Sequence, residues 1–332
     1  MSGTTVSLDI VKSKTSQALV AHGASEWIAN EVADAVQKAE ANGNLICGLY
    51  YLESYCRQLI SGRVKGTAEP QVSMPKSASV KVDAQFGFAQ AAFARGLPQA
   101  LDVVKHTGTA SLAICHAHTC TSLGYFTEQI ANAGYIGIGL TNASAVVSPP
   151  GGKTPVLGTN PIAMAIPAKG GGVKFQFDQS TSAVALGKIT MAAAAGESIP
   201  HGWAIDSEGQ STTDPQAALK GSLVSTGGYK GYGFGLMAEV LAAAVTGGVN
   251  SIHTSALKAP EGNPHNLGQF YFLLDPEAYS GDAFWDRLET LSTAIDAQEG
   301  ARLPGTQRQV VTEVTIETAV WEQTLALAEY SA

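Results

Sequence analysis

Apolar residues recur at helical spacing over much of the chain. A clear case follows Ser25, where Ile28, Val32 and Val36 fall on one helix face. Glycine and polar residues interrupt these patterns and bound each helix. Predicted helices cover residues 8–22, 26–43, 45–62, 86–106, 123–130 and 284–295, with one opening in 227–233 and one after 317.

Between these helices lie short apolar or alternating runs that predict strands. They occupy residues 72–82, 110–114, 135–140, 162–166, 173–178 and 269–274, with one more near the C-terminus. Several strand pairs are separated by only a few residues, which is too short for the crossover that a parallel pair needs. The sequence therefore predicts a mixed α/β fold with a mixed, largely antiparallel sheet.

Polar and small residues collect at the ends of the central strands. Residues 116–122 form a polar segment in which Ser122 is placed to cap the helix that follows. Residues 157–161 and 179–182 form two further loops beside strands. Small-molecule sites form where such loops meet, so we expect the site there.

Composition narrows the function classes. At 332 residues the chain is long enough for two domains, and its net charge of −8 leaves no basic face for nucleic acid. No apolar run approaches the roughly 20 residues that span a membrane, and the N-terminus lacks a signal-peptide core. The 4 cysteines are too few for a disulfide framework and are predicted to be free thiols, which indicates a cytoplasmic protein.

The run Cys115-His116-Ala117-His118-Thr119-Cys120 places four ligand types within a short segment. Structural zinc sites draw ligand pairs from separated segments, and successive residues of an extended segment face opposite sides. We therefore expect no metal here. On the same argument His116 and His118 share a face, and one of them is expected to reach a bound ligand.

Glycine-rich residues 227–235 lack the strand and the acidic residue of a dinucleotide-binding fingerprint. A Rossmann domain is not indicated. Two interpretations stay open: an anion site at the start of a helix, or close helix packing through glycine.

Several motifs together resemble one enzyme family. They are Gly151-Gly152 with Leu157-Gly158-Thr159-Asn160-Pro161, Asp178-Gln179-Ser180-Thr181-Ser182 with Gly187-Lys188, Pro200-x-Gly202-Trp203, Lys230-Gly231-Tyr232-Gly233 and Arg302-x-Pro304-Gly305. In order and spacing they are similar to the malate/L-lactate/L-sulfolactate dehydrogenase family, which includes ureidoglycolate dehydrogenase and the Δ1-piperideine-2-carboxylate/Δ1-pyrroline-2-carboxylate reductases.

This resemblance implies an oxidoreductase that uses NADPH or NADH. It also implies a non-Rossmann domain for cofactor and substrate over residues 76–282. A helical domain would combine residues 1–75 with residues 283–332. The implied assembly is a homodimer with its site near the subunit boundary.

The resemblance also implies site residues. Thr159 would hold the substrate, and Cys47 occupies the position of the family's catalytic histidine. Tyr51 is a further candidate for holding the substrate, and His118 and Lys188 are further candidate catalytic residues. The cofactor would be bound by Thr119, Cys120, Thr121, Ser122, Leu123, Asp178, Gln179, Ser180, Tyr229, Lys230, Pro304 and Gly305.

One motif departs from the family. Members usually carry Ser-His-Gly-x-x-Arg, in which Ser-His transfers a proton and Arg grips a carboxylate, but this chain has Ile46-Cys47-Gly48-Leu49-Tyr50-Tyr51. The substrate carboxylate would then be held by neutral donors or by a cation from elsewhere, such as Arg57. Lys188 is either a substitute donor or a solvent-facing residue.

This departure bears on the substrate. A ketone needs a proton as hydride arrives, whereas a cyclic iminium arrives already protonated. Loss of the acid pair therefore favours reduction of a small cyclic 2-imino acid, such as Δ1-piperideine-2-carboxylate or Δ1-pyrroline-2-carboxylate, over a 2-keto acid. Two alternatives stay open: a dehydrogenase of a 2-hydroxy acid in which Cys47 or His118 donates the proton, and an inert cofactor-binding protein.

Overall fold

The computed structural model describes residues 3–306 and 310–330. Its α-helices are α1 (Leu8–Ala21), α2 (Glu26–Ala41), α3 (Leu52–Ile60), α4 (Ala89–Thr107), α5 (Gly124–Asn132), α6 (Leu186–Ala195), α7 (Pro215–Lys220), α8 (Tyr229–Glu239), α9 (Glu277–Ser280), α10 (Ala283–Asp296) and α11 (Thr318–Ala328). Short 3-10 turns span Leu45–Cys47, Leu49–Tyr51 and Ser251–His253, and a π-helix continues α8 over Val240–Val245.

The strands are β1 (Gly3–Ser7), β2 (Gln71–Lys76), β3 (Ser79–Asp83), β4 (Thr109–Ala117), β5 (Ile136–Thr141), β6 (Ile162–Pro167), β7 (Val173–Gln179), β8 (Ala204–Ile205), β9 (Ser211–Thr212), β10 (Ser222–Leu223), β11 (Leu267–Leu274) and β12 (Glu313–Glu317). Seven of them form the main sheet in the order β2-β3-β4-β11-β5-β6-β7. A small sheet joins β10, β8 and β9.

The main sheet is mixed, as the short connections predicted. β3 and β4 pair in parallel, and α4 supplies the crossover between them. The other pairs of this sheet are antiparallel. The predicted fold class is therefore confirmed.

The two ends of the described chain meet. β1 pairs antiparallel with β12, and α1 packs against both α2 and α11. Buried side chains from these helices and α3 form one apolar cluster, which includes Leu19, Ile28, Leu52 and Trp321. A second cluster lies between the main sheet and helices α4 and α5. None of the helices in the described ranges is long and apolar enough to cross a membrane.

The helix predicted over residues 45–62 begins later than expected. Two 3-10 turns precede α3, and the carboxylate of Glu40 accepts a 2.7 Å hydrogen bond from the Leu49 amide. A Cβ at Gly48 would lie 2.1 Å from Glu40 Oε1. Gly48 therefore lets the chain pass close to the buried Glu40, and this contact replaces the first helical turn.

The prediction that Ser122 caps the next helix is wrong. Helix α5 begins at Gly124, and no side chain caps it at the preceding residue. Instead, Asp178 Oδ2 accepts the Gly124 amide at 2.7 Å from the neighbouring strand β7. A carboxylate at a helix N-terminus is stabilised by the unpaired N–H groups there, so Asp178 takes over the role expected of Ser122.

Gly268 on β11 should be intolerant of any side chain. A Cβ there would lie 1.7 Å from the Ala242 carbonyl oxygen and 2.3 Å from Thr246 Oγ1. Because backbone would have to move, Gly268→Ala should lower the free energy of unfolding by about 1–3 kcal/mol in urea titration. Gly233→Ala is the matched control, since nothing lies within 4 Å of that position. Equal stability of the two variants would contradict the close packing of β11 on the π-helix.

Candidate active site

Cys47 lies in the first 3-10 turn, half-buried and close to Asp178 and Lys258. Burial, with a further contribution from the Asp178 carboxylate, raises the pKa of the thiol to about 11. The thiol is therefore protonated across the neutral range. Cys47 thus brings residues 46–51, the segment that differs from the family motif, close to Asp178 at the end of β7.

Asp178 holds this neighbourhood together. Its Oδ2 atom accepts the Gly124 amide and, at 3.4 Å, the hydroxyl of Ser122. The predicted cofactor residues Ser122 and Asp178 are thus in direct contact. This contact places the start of α5 beside the end of β7.

Tyr51 is buried, with 6% of its surface exposed, and its hydroxyl donates to the Leu257 carbonyl at 3.2 Å. Its ring centroid lies 4.8 Å from that of Tyr55. Tyr55 in turn donates to Thr121 Oγ1 at 3.3 Å. The aromatic pair therefore connects the signature segment with residues 119–123.

His118 is fully buried and stacks on His265, with ring centroids 4.0 Å apart. Its Nε2 lies 2.6 Å from Gln58 Oε1. Because the Gln58 amide nitrogen donates to two carbonyls, the amide oxygen faces His118, and we assign the His118 proton to Nε2. His265 Nδ1 accepts the Thr119 amide at 3.2 Å.

Both rings are neutral. Burial first, then His265 and the charge of Arg63, hold the pKa of His118 well below its usual range. Burial and Arg63 lower the pKa of His265 to about 3. A neutral His118 whose N–H already donates to Gln58 is poorly suited to donate a proton to substrate.

The expectation that His116 and His118 share a face is wrong. His116 has a φ of 50°, so the segment leaves the extended conformation there. Its Nδ1 lies 3.0 Å from Asp83 Oδ1, in half-buried surroundings unlike those of His118. In the part of the chain that the structure describes, Asp83, Cys115 and His116 bring ligand atoms within 4.8 Å of one another, whereas His118 and Cys120 lie outside this group.

Two adjoining clefts lie between α2 and β7, and the smaller one reaches Asp178. One, of about 390 Å³, is bounded by α2, Ser122, Gly124 and Asp178. The other, of about 670 Å³, shares Lys38, Asn42 and Gln176 with it and extends to Gly305.

The clefts suit an elongated polar molecule such as a nicotinamide dinucleotide. A Cβ at Gly124 would lie 3.0 Å from Asp178 Cβ, and one at Gly305 would lie 2.8 Å from the Gln176 carbonyl oxygen. Only glycine fits at both positions without displacing the wall. The backbone N–H of Gln176 also donates to the Pro304 carbonyl at 3.1 Å. This hydrogen bond fixes the predicted Pro304 turn at the cleft.

Other predicted residues are placed differently. Leu123 is fully buried in the sheet core, so its side chain is not available to a ligand. Lys188 on α6 and Tyr229 and Lys230 on α8 are exposed. Thr159 lies beside Thr181, which donates to its carbonyl oxygen.

The remaining predicted residues lie around this region. Cys120 is buried, and its carbonyl oxygen accepts from Gln90 at 3.4 Å. Gln179 is exposed at the end of β7, and Ser180 Oγ donates to the Ser182 carbonyl at 3.3 Å.

Sequence patterns did not single out four residues that build the site. They are Gln58, Arg63, Lys258 and His265. Gln58 and Arg63 sit in or after an amphipathic helix, where polar residues usually face solvent. Lys258 and His265 belong to a loop rich in proline and glycine that has no periodicity.

Comparison with known proteins defines the class. The model of the malate/L-lactate dehydrogenase family matches residues 6–323. The (2R)-3-sulfolactate dehydrogenase (NADP(+)) of Chromohalobacter salexigens is 39% identical over 294 residues, covering 89% of this chain and 87% of that enzyme. The Δ1-pyrroline-2-carboxylate reductase of Pseudomonas fluorescens is 34% identical, covering 95% and 94%. The chain belongs to the malate/L-lactate dehydrogenase family.

Solved structures agree. The Δ1-piperideine-2-carboxylate reductase from Pseudomonas syringae pv. tomato is 33% identical and superposes with a TM-score of 0.91 over 98% of this chain and 99% of its own. Sulfolactate dehydrogenase from Methanocaldococcus jannaschii is 27% identical, with a TM-score of 0.89 over 98% and 96%. The predictions of the family, of an oxidoreductase and of a nicotinamide cofactor are confirmed.

The buried histidine pair predicts loss of stability in acid. Both folded-state pKa values lie below the ordinary value near 6.5, so the stabilisation is complete above that pH and is lost as pH falls. Between pH 6 and pH 4 the free energy of unfolding should drop by about 1.4 kcal/mol per pH unit through His265, whose pKa is lowered to about 3, and His118 should add a loss in the same direction.

Urea titrations across that range measure the slope. His265→Asn, which keeps an acceptor for the Thr119 amide, should remove the part of the slope that His265 contributes, while His201→Gln on the surface serves as control. An unchanged slope in His265→Asn would show that this ring does not resist protonation.

Proposed function

We propose that this protein is an NADPH-dependent reductase of small cyclic 2-imino acids of the Δ1-pyrroline-2-carboxylate and Δ1-piperideine-2-carboxylate type. The single observation that carries the proposal is the state of Cys47. A half-buried thiol whose pKa is raised to about 11 stands where the family's proton-transferring histidine is expected. Reductases of this type among the similar proteins support the choice.

The chemistry of the site explains the preference. Cys47 is a weak acid, and burial raises the pKa of Tyr51 above its ordinary value. His118 is neutral, and its N–H already donates to Gln58. None of these three groups is a good proton donor to a ketone, whereas an iminium brings its own proton. The described groups around Cys47 therefore suit a substrate that needs binding and orientation rather than acid catalysis.

The cofactor would lie in the two clefts. We propose that Ser122, Asp178 and the turn at Pro304 and Gly305 hold it, with Thr119, Cys120, Thr121, Gln179, Ser180, Tyr229 and Lys230 around it and Leu123 contributing backbone. When bound, its reduced nicotinamide supplies the hydride. We propose NADPH over NADH because the 39% identical sulfolactate dehydrogenase of Chromohalobacter salexigens is named as an NADP(+) enzyme.

The two alternatives make different demands on the same residues. A 2-hydroxy acid dehydrogenase of malate or lactate type would need Cys47, His118 or Lys188 to move the proton, and a sulfolactate dehydrogenase among the relatives supports that class. An inert cofactor-binding protein would need none of them. Both are outcomes of the following test.

Cys47→Ala separates these functions. With NADPH and Δ1-piperideine-2-carboxylate, the variant should keep kcat within a few-fold of the parent, because no proton is required from the thiol. With a 2-keto acid substrate that depends on Cys47, the loss should be about 10²-fold or more. Absorbance of the reduced nicotinamide follows both reactions.

Ile46→Ser with Cys47→His is the companion variant, since it rebuilds the usual family pair. It should raise activity on 2-keto acids by orders of magnitude and leave imine reduction nearly unchanged. A parent protein that binds NADPH but oxidises it with no imino or keto acid would establish the inert alternative instead.

We also propose a cytoplasmic homodimer whose helical domain comprises residues 1–75 and 283–332. The continuous helix formed by α8 and the π-helix exposes Phe234, Val240 and Val245, and such apolar exposure suits a subunit interface.

Light scattering after size-exclusion chromatography should give twice the chain mass of 34.3 kDa. Val240→Asp should raise the dissociation constant of the dimer, because it buries a charge, whereas Tyr279→Asp on α9 should not. A monomeric parent would exclude the dimer.

A further inference from the structure

The loop of residues 254–266 lies along α3 and is fixed there by side chains. Three polar side chains from this region donate to its backbone carbonyls. The bonds are Tyr51 Oη to Leu257 (3.2 Å), Gln58 Nε2 to Leu257 (2.7 Å) and Ala259 (2.8 Å), and Ser61 Oγ to Pro260 (2.7 Å). The backbone around Lys258 is therefore held on both sides.

The buried side chain of Arg63 also holds the loop of residues 254–266. Only 1% of its surface is exposed, and its guanidinium donates to the carbonyls of Asn263 (3.0 Å), Ala256 (3.1 Å) and Ala259, and to Ser255 Oγ. These partners are uncharged oxygens. The guanidinium is thus committed to the loop and is enclosed, so it is not available to a ligand anion.

Lys258 is the basic side chain that this attachment presents to the site. Its Nζ lies 5.1 Å from the ring centroid of Tyr51, a distance typical of a cation over an aromatic face. The side chain is exposed, and its charge acts on the Cys47 thiol. Lys258 therefore lies over the ring of Tyr51, and its charge reaches Cys47; these are two of the three residues at which this chain departs from the family signature.

The other basic side chain considered for this role is engaged elsewhere. Arg57 forms an exposed ion pair with Glu53 one helical turn away on α3. The hypothesis that Arg57 supplies the cation is therefore not favoured.

We propose that Lys258 binds the carboxylate of the substrate, with the ring of Tyr51 beneath it. This inference rests on the proposed function, since it names the residue that grips the 2-carboxylate of the imino acid. An ammonium acts as a point charge, whereas a guanidinium is planar. A carboxylate can therefore approach an ammonium from more directions than it can approach a guanidinium. Because the backbone around Lys258 is already fixed, binding orders the lysine side chain but not the loop backbone.

Lys258→Met tests the proposal through the substrate KM. Loss of a charged hydrogen bond is worth about 1.5–3 kcal/mol, so KM for Δ1-piperideine-2-carboxylate should rise about 10- to 100-fold. The dissociation constant of NADPH, measured by fluorescence, should not change. Lys258→Arg should retain most of the affinity, and Lys220→Met on the exposed end of α7 is the control.

A pair of inhibitors isolates the charge. Pyrrole-2-carboxylate is a planar analogue of the imino acid, and pyrrole-2-carboxamide has the same ring without the negative charge. The parent should prefer the carboxylate, and Lys258→Met should lose that preference. Tyr51→Arg introduced into Lys258→Met should restore it, because it returns a cation to the same place.

The outcomes separate this inference from the proposed function. If the parent reduces imines and Lys258→Met keeps the parent KM and inhibitor preference, the inference is wrong and the function stands. If the parent reduces no imine but its preference for pyrrole-2-carboxylate depends on Lys258, the function is wrong and the anion site stands. Equal binding of the two inhibitors to the parent would overturn the carboxylate site itself.

Discussion

The buried guanidinium of Arg63 is the constraint on which the site depends. Enclosing a charge is costly unless hydrogen bonds satisfy it, and here the loop of residues 254–266 provides the oxygens. The loop is consequently held against α3, and His265 is held against His118. The same charge favours neutral histidines, so one interaction sets both the shape and the protonation state of this region.

A second charge, the carboxylate of Asp178, fixes the part of the site around Cys47. The carboxylate of Asp178 fixes the start of α5 to the end of β7 and raises the pKa of the Cys47 thiol together with burial. Between Asp178 and Arg63 lie side chains that are neutral near pH 7, among them Cys47, Tyr51 and His118. Such a site can bind and orient a charged substrate, but it offers little acid catalysis. This fits an enzyme whose substrate is already protonated.

Local sequence patterns predicted much of the fold, because strands such as β6 and β7 and helices such as α4 have clear periodicity. The family resemblance predicted that Ser122 and Asp178 both line the cofactor, and in the structure their side chains are in contact. The errors arose where distant residues decide local structure: Asp178 caps α5 from 54 positions away, and Gln58 reaches a loop 199 positions away. The left-handed φ of His116 likewise has no signature in its neighbours.

In the proposed reaction, the proton on the reacting nitrogen comes with the substrate. The decisive measurement is the pH dependence of kcat/KM for two cyclic imines of different basicity, one with a five-membered and one with a six-membered ring. We predict that the alkaline fall in kcat/KM moves with the pKa of each iminium and is the same in Cys47→Ala. A fall at one pH for both substrates, shifted by Cys47→Ala, would contradict the account and identify the thiol as the acid.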